Sequence, residues 1–243
     1  MSVVLNLGCG SRTSTRPEVV NIDWSITLRV HRNPLLRCVA PLFIRGERLR
    51  RFQSLPNNVR VHNLARGIPF SDNSVDVVYH SHVLEHLDRD VADRFAMEVR
   101  RVLKPSGLHR VVVPDFEVLC RTYLAHVQAC ERNPIESEEH EKFIAAILEQ
   151  SVRREAWGTS QQARMRRLVE NLILGDARSR GETHQWMYDR FTISHFLERN
   201  GFRIIEFQTY ATSSFPNWHE YRLDEDEAGN EYKVGSLYVE ARK

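Results

Sequence analysis

Ionisable side chains cluster directly after a short apolar run in the middle of the chain. The run Val77-Val78-Tyr79 is typical of a buried strand, and His80-Ser-His-Val-Leu-Glu-His86 follows it. Imidazole and carboxylate groups are common proton acceptors in enzymes. We therefore predict a proton-transfer site at this turn, with His82 as the first candidate for the base and with Glu85 and His86 beside it.

Asp115 is a further candidate for the base. It stands at the end of a predicted fifth strand that runs from Leu108 to Val113. Both Asp115 and His86 also have structural explanations, because an Asp often caps a helix and a His can pack against one.

The spacing His82-x-x-Glu85-His86 also matches the pattern of inverted zinc peptidases. On a helix, this spacing would place the two histidines on one face, at positions i and i+4. A hydrolase helix of that kind does not normally follow directly after a strand of a nucleotide-binding fold. We therefore do not favour a peptidase.

The beginning of the chain carries a glycine-rich turn. Val3-Val-Leu5 and Leu7 predict a strand buried on both faces, and this strand stops at Gly8-Cys-Gly10. Because glycine has no Cβ, the backbone can turn sharply there and approach a ligand closely. Doubly wound α/β proteins build nucleotide sites in this way at the carboxyl edge of the sheet. A single Gly-x-Gly is weak evidence for a nucleotide site, so other residues must support this interpretation.

A second predicted strand ends in an acid. Val19-Val-Asn-Ile22 leads into Asp23 and Trp24. In nucleotide-binding folds, an acid at the tip of the second strand accepts hydrogen bonds from ribose hydroxyls, and a carboxylate offers only acceptors. Trp24 could stack on an adenine ring. The alternative is a surface Asp in a turn beside a core Trp, but the glycine turn upstream favours the ribose role.

The composition excludes several classes of protein. With 243 residues, 42% hydrophobic residues and a net charge of +2, the chain can build a sizeable core and has no global case for nucleic-acid binding. The four cysteines form no Cys-x-x-Cys pair, which fits a reducing compartment better than a disulfide framework. A strand from residue 3 leaves no room for a signal peptide, so we expect a cytoplasmic protein.

The predicted elements indicate one domain over residues 1–243 with two additions. Residues 25–60 contain eight arginines, no lysine and a single acid, Glu47. We expect short basic helices over 25–58. They would form a solvated face, hold a phosphate-bearing substrate, or rest on an anionic membrane through residues 28–52. Residues 116–185 are predicted to be a helical insertion.

Five motifs follow one another in the order of a known enzyme family. They are Leu5-Asn-Leu-Gly-Cys-Gly10, Asp23, Ile68-Pro-Phe-Ser-Asp-Asn-Ser-Val-Asp76-Val-Val-Tyr79, Ser81-His-Val-Leu-Glu-His86 and Arg100-Arg-Val-Leu-Lys-Pro-Ser-Gly107. With these motifs the chain resembles the class I S-adenosylmethionine-dependent methyltransferases of the type 11 group. The resemblance covers residues 3–115 and, less fully, 184–189 and 236–243. It extends to bacterial methyltransferases of glycan pathways.

The resemblance implies an α/β, Rossmann-like fold and S-adenosylmethionine as the cofactor. Its sheet would have seven mostly parallel strands, with the last strand antiparallel. The residues that it places around the cofactor are Leu7, Gly8, Cys9, Gly10, Asp23, Trp24, Asn63, Leu64, His80 and Ser81. Asp23 would hold the ribose, Asn63-Leu64 would meet the adenine, and the backbone of His80-Ser81 would hold the methionine amine. The family often has an acid at position 63, where this chain has Asn.

Methyl transfer from a sulfonium is an in-line displacement, so the protein mainly supplies position and a proton acceptor. We expect transfer to a small molecule, most simply a hydroxyl of a saccharide or a related metabolite. Ubiquinone-type and small-RNA methyltransferases have a similar Glu-x-x-Glu-His metal site. Here His82 would replace its first Glu, so we assign no metal and keep a divalent metal at His82, Glu85 and His86 as an alternative.

Two other functions stay open. An NAD-linked enzyme would need a third glycine at the position of Thr13. A non-catalytic subunit that binds S-adenosylmethionine beside a partner would keep the same glycine turn and Asp23. No pattern in the sequence indicates an oligomeric state.

Overall fold

One seven-stranded sheet organises the molecule. The computed structural model describes residues 2–133, 139–150 and 184–243. The strands are β1 (Val4–Leu7), β2 (Val19–Asp23), β3 (Val59–Val61), β4 (Val75–Ser81), β5 (Leu103–Pro114), β6 (Arg203–Gln208) and β7 (Ser236–Arg242). Their order is β3-β2-β1-β4-β5-β7-β6. Strand β7 is antiparallel to both of its neighbours, and the other neighbours are parallel. The predicted Rossmann-like fold is confirmed.

Helices connect these strands. Within the described ranges they are α1 (Ile26–Arg32), α2 (Pro34–Phe43), α3 (Gly46–Gln53), α4 (Arg89–Val102), α5 (Phe116–Arg132), α6 (His140–Gln150) and α7 (Arg190–Arg199). Short 3-10 helices span Leu64–Arg66, Leu84–His86 and Trp218–Tyr221. None of these described helices is both long and apolar enough to cross a membrane.

The two predicted additions are helical where the structure describes them. The basic segment forms α1, α2 and α3, and Asn33 separates the first two by accepting hydrogen bonds from the N–H groups of Leu35 and Leu36. The predicted insertion begins with α5 and α6. Its parts over residues 134–138 and 151–183 lie outside the described residues.

The fifth strand is longer than the sequence predicts. It begins at Leu103, directly after α4, instead of at Leu108. Leu103 pairs with Val75, and the register then shifts so that Leu108 pairs with Val77. The Lys-Pro-Ser-Gly segment is therefore a local irregularity within the strand, since backbone pairing continues on both sides of it.

The strand register brings the glycine turn and the His-rich turn to the same edge. Leu7, the last residue of β1, pairs with Ile22 of β2 on one side and with His80 of β4 on the other. The carboxyl ends of these parallel strands therefore meet, and the residues that follow them share one edge of the sheet.

The two faces of the sheet are covered differently. On one face, apolar residues of α4 and α7 pack onto the strands, among them Ala96, Val99, Ile193 and Leu197. On the other face, Trp218, Tyr221 and Leu223 pack onto the strands from an irregular segment near the end of the chain. This segment also reaches the edge where the glycine turn lies.

A buried ionic network holds that irregular segment in place. Arg110 of β5 is fully buried and bonds to Asp224 at 2.9 Å and to Glu240 at 2.7 Å. Asp224 also accepts hydrogen bonds from the Tyr79 hydroxyl at 2.8 Å and from the Trp218 indole at 2.7 Å. Because every partner is paired, the charges can stay buried, and the segment that carries Leu223 is fixed over the sheet.

Candidate active site

The glycine turn after β1 is held against β2 by backbone hydrogen bonds. The N–H groups of Gly8 and Cys9 both donate to the Ile22 carbonyl, at 2.8 and 3.2 Å. Gly8 and Gly10 have φ angles of 63° and 54°, in the left-handed region that favours glycine. A Cβ on Gly8 would lie 2.5 Å from Cγ2 of Val83, so the chain needs glycine where these two turns approach each other.

Asp23 joins the glycine turn to the start of α1. Its Oδ2 accepts a hydrogen bond from the Gly10 N–H at 2.8 Å, and its Oδ1 accepts one from the Ser25 N–H at 2.6 Å. The residue is 8% exposed. Each carboxylate oxygen keeps a second lone pair, so Asp23 can still accept from a diol such as a ribose.

A cavity of about 220 Å³ opens beside this turn at the carboxyl edge. Of the predicted cofactor residues, Gly8, Cys9, Gly10 and Ser81 line it, together with the base candidate His82. The cavity offers glycine backbone at the carboxyl ends of the strands, and the Asp23 carboxylate lies nearby. A nucleoside cofactor with a polar amino-acid end requires these features. These residues therefore fit S-adenosylmethionine.

The other predicted cofactor residues lie away from the described lining of this cavity. The side chains of Leu7 and His80 are buried in the sheet, and His80 faces His109 with 2.9 Å between their Nε2 atoms. Burial lowers the pKa of His80 to about 3. The side chain of His80 is therefore a core group, and only its backbone is available at the sheet edge.

Trp24, Asn63 and Leu64 already have partners within the chain. Trp24 is exposed, and the Arg29 guanidinium lies 4.3 Å from the centroid of its ring. The amide oxygen of Asn63 accepts a hydrogen bond from the Ala65 N–H at 3.0 Å. Leu64 packs against the core. Contact of these three residues with an adenine stays a prediction.

His82 lies between Glu85 and Ser236. Its Nε2 is 2.9 Å from the Ser236 hydroxyl oxygen, which in turn donates to the Lys233 carbonyl at 2.7 Å. Because that carbonyl can only accept, the hydroxyl proton is committed to it and His82 donates from Nε2. The lone pair of His82 is then at Nδ1, which is 3.3 Å from Oε1 of Glu85.

Burial controls the protonation of this pair. Burial, with smaller effects from Lys233, His184 and His86, lowers the pKa of His82 to about 3. Glu85 has no exposed surface, and burial raises its pKa to about 8. Near neutral pH the imidazole is therefore uncharged and the carboxyl group holds a proton.

Glu85 also belongs to a set of side chains that could hold a cation. Both of its carboxylate oxygens are buried without an aligned hydrogen-bond partner among the described residues. One ligand atom each from Glu85, His86 and His184 lie within 4.8 Å of one another. Nδ1 of His184 bonds to the Gln150 carbonyl at 2.9 Å, which leaves Nε2 free to accept a proton or a metal ion.

The structure also shows where Asp115 and the zinc-peptidase spacing of His82 to His86 lie. Asp115 caps α5 by accepting hydrogen bonds from the N–H groups of Glu117 and Val118, and burial raises its pKa. The segment from His82 to His86 is not an α-helix, because His82 has a φ of 53° and only a 3-10 turn follows. The helical arrangement of a zinc peptidase is therefore absent.

Several residues of the site were not predicted from the sequence. Arg12, Leu223, Tyr232 and Lys233 line the cavity. Ser236 contacts His82. Leu223, Tyr232 and Lys233 carry no motif that would have indicated this position, and Ser236 begins the 236–243 segment of the resemblance. His184 lies in the His184–Asp189 segment of the resemblance, which was its only signal.

Residues 40–111 match the family model described as a methyltransferase domain. This part of the chain is therefore similar to a methyltransferase domain. The match confirms the resemblance to S-adenosylmethionine-dependent methyltransferases, and with it S-adenosylmethionine as the cofactor. The matched residues include the turn from His82 to His86, whereas the glycine turn and Asp23 precede them.

Solved S-adenosylmethionine-dependent methyltransferases are similar to this chain at low identity. One from Archaeoglobus fulgidus is 14% identical, with 100% of this chain and 86% of that chain covered and a TM-score of 0.42. Those from Methanosarcina mazei and Mesorhizobium loti are 15% and 16% identical. Each of these two alignments covers 99% of this chain. They cover 91% of the Methanosarcina mazei chain and 90% of the Mesorhizobium loti chain, and both have a TM-score of 0.42. No curated protein matches the chain.

Proposed function

We propose that the methyltransferase domain transfers a methyl group from S-adenosylmethionine to a hydroxyl of a small molecule, such as a saccharide or related metabolite. The observation that carries this proposal is the His82–Glu85 pair, which stands at the cavity beside the glycine turn. An oxygen acceptor has to lose a proton during transfer, and the pair can take it when Glu85 is ionised.

The cofactor would lie along the glycine turn. Bound S-adenosylmethionine supplies the methyl group as a sulfonium. Gly8 and Gly10 keep the backbone close to it, and Asp23 accepts from the ribose while it holds the Gly10 N–H in place. Ser81 would meet the amino-acid end of the cofactor, because it follows β4 at the same edge.

His82 and Glu85 would act together on the acceptor proton. His82 lines the cavity and can approach the acceptor, whereas Glu85 is fully buried behind it. With a pKa of about 8, Glu85 is a stronger base than His82, and it accepts a proton in the molecules in which it is ionised, a fraction that grows as the pH rises toward 8. Since the two groups are 3.3 Å apart, the proton belongs to the pair and not to one residue.

The cofactor and the reaction can be tested with the purified protein. We expect S-adenosylhomocysteine to raise the melting temperature and NAD to leave it unchanged. We then expect S-adenosylhomocysteine to be released when S-adenosylmethionine is mixed with hydroxyl-bearing saccharides. Stabilisation by NAD alone would contradict the cofactor assignment. Stabilisation by S-adenosylhomocysteine without turnover on any acceptor class would favour the non-catalytic subunit.

A second role for the same carboxylate is to bind a divalent cation together with His86 and His184. The buried oxygens of Glu85, which have no aligned hydrogen-bond partner among the described residues, favour this role, because a cation would neutralise the carboxylate. Chelator treatment followed by metal analysis tests it. A stoichiometric metal that is lost in Glu85→Gln would support the cation, and a metal-free, fully active protein would exclude it.

A further inference from the structure

The apolar face of α2 points into solvent. Large apolar residues recur along this helix at the spacing of a single face, and they are Leu35, Leu36, Val39, Leu42 and Phe43. All five are exposed, and Leu35, Leu42 and Phe43 are 80%, 72% and 82% exposed. An amphipathic helix of a monomeric protein normally turns this face to the core.

The side of α2 that faces the protein buries only a small side chain among the described residues. Ala40 is the buried residue of the helix, so α2 rests on the protein through a small side chain. The core beneath this segment is filled instead by Leu28 of α1 and Phe52 of α3. The outward apolar face is therefore not needed for packing within the described part of the chain.

Exposed arginines lie on α2 and on the segments directly before and after it. These are Arg29, Arg32, Arg37, Arg45 and Arg50; Arg32 also donates to the Val59 carbonyl at 2.9 Å, and Arg29 lies over the ring of Trp24. None of them has an ion-pair partner in the described ranges, and the segment contains one acid, Glu47. Guanidinium groups without an ion-pair partner bind phosphate oxygens well, because they present several N–H donors in one plane.

We propose that α2 binds the surface of an anionic lipid bilayer, with its apolar face in the interface and the surrounding arginines on lipid phosphates. A helix of ten residues is about 15 Å long, too short to span a bilayer, so it lies along the surface. A second copy of the chain is a poorer occupant, since it would bring a second set of unpaired arginines against the first.

Vesicle sedimentation with the full chain tests this proposal. Wild-type protein should bind vesicles of phosphatidylcholine mixed with phosphatidylglycerol, and binding should weaken with added salt. Vesicles of phosphatidylcholine alone should bind it far less. Equal binding to both vesicles, or none to either, would overturn the anionic-surface proposal.

Matched variants distinguish binding through the apolar face of α2 from binding through any exposed apolar residue. Leu42→Glu with Phe43→Glu should reduce binding by about tenfold or more, because two apolar side chains leave the interface and two negative charges enter. Leu124→Glu changes an exposed leucine on α5 and should bind like wild type. Equal losses in both variants, or a wild-type dimer that dissociates in the α2 variant, would contradict the membrane surface.

Discussion

Nδ1 of His82 lies 3.3 Å from Oε1 of Glu85, and Glu85 has no exposed surface. On the other side of the imidazole, Nε2 is bonded to the Ser236 hydroxyl. Of these two residues, His82 lines the cavity, whereas Glu85 is buried behind it.

Glu85→Gln should lower kcat by about a hundredfold or more, because it removes the buried carboxylate that accepts a proton when ionised but keeps the size of the side chain. Asp115→Asn is the comparison, since Asp115 caps α5 and is not in the described cavity lining. We expect its effect to stay within about tenfold. Turnover with a saturating acceptor measures both, and S-adenosylhomocysteine binding confirms that the cofactor site survives. Equal losses in the two variants would reject the pair.

Glu85 should also make folding stability depend on pH in chelator-treated protein. Its folded pKa is about 8, so between about pH 5 and pH 8 the folded state keeps a proton that the unfolded state loses. Stability should therefore fall as pH rises, by about 1.4 kcal/mol per pH unit relative to Glu85→Gln. Urea unfolding of both proteins across this range measures the difference. A parallel pH dependence would show that Glu85 ionises normally.

The Arg110 network should be a main support of the fold. Asp224→Ala leaves Arg110 buried without one of its two carboxylates, and the free energy of unfolding should fall by about 3–5 kcal/mol. Arg94→Ala removes an exposed i,i+4 pair with Asp90 and should cost about 0.5 kcal/mol or less. Chemical unfolding measures both. A small effect of Asp224→Ala would mean that water enters and solvates Arg110.

Gly8→Ala should weaken both stability and cofactor binding, because the new Cβ meets Val83 and φ is positive. The left-handed conformation alone costs about 1–2 kcal/mol. Gly10→Ala has the same conformational cost but open space around its Cβ, so it should be milder. Adding Val83→Ala should partly rescue Gly8→Ala and not Gly10→Ala. A rescue of neither variant would show that the clash is not decisive.

Much of the fold could be predicted because its signals are local. Apolar runs such as Val77-Val78-Tyr79 become central strands, and Asp88 and Asn200 stand at the ends of helices. The continuation of β5 back to Leu103 could not be predicted, since a proline and a glycine within a strand usually end it. There the pairing of Leu103 with Val75 outweighs the local preference.

The sequence by itself determined the order of strands and helices, the glycine turn after the first strand and the acid after the second. Each of these depends on a few neighbouring residues and on backbone preferences. Only the tertiary structure brought Ser236, Lys233 and His184 to the His82–Glu85 pair. Proximity across about a hundred residues or more, and the burial that shifts these pKa values, depend on how distant segments pack, which no local pattern encodes.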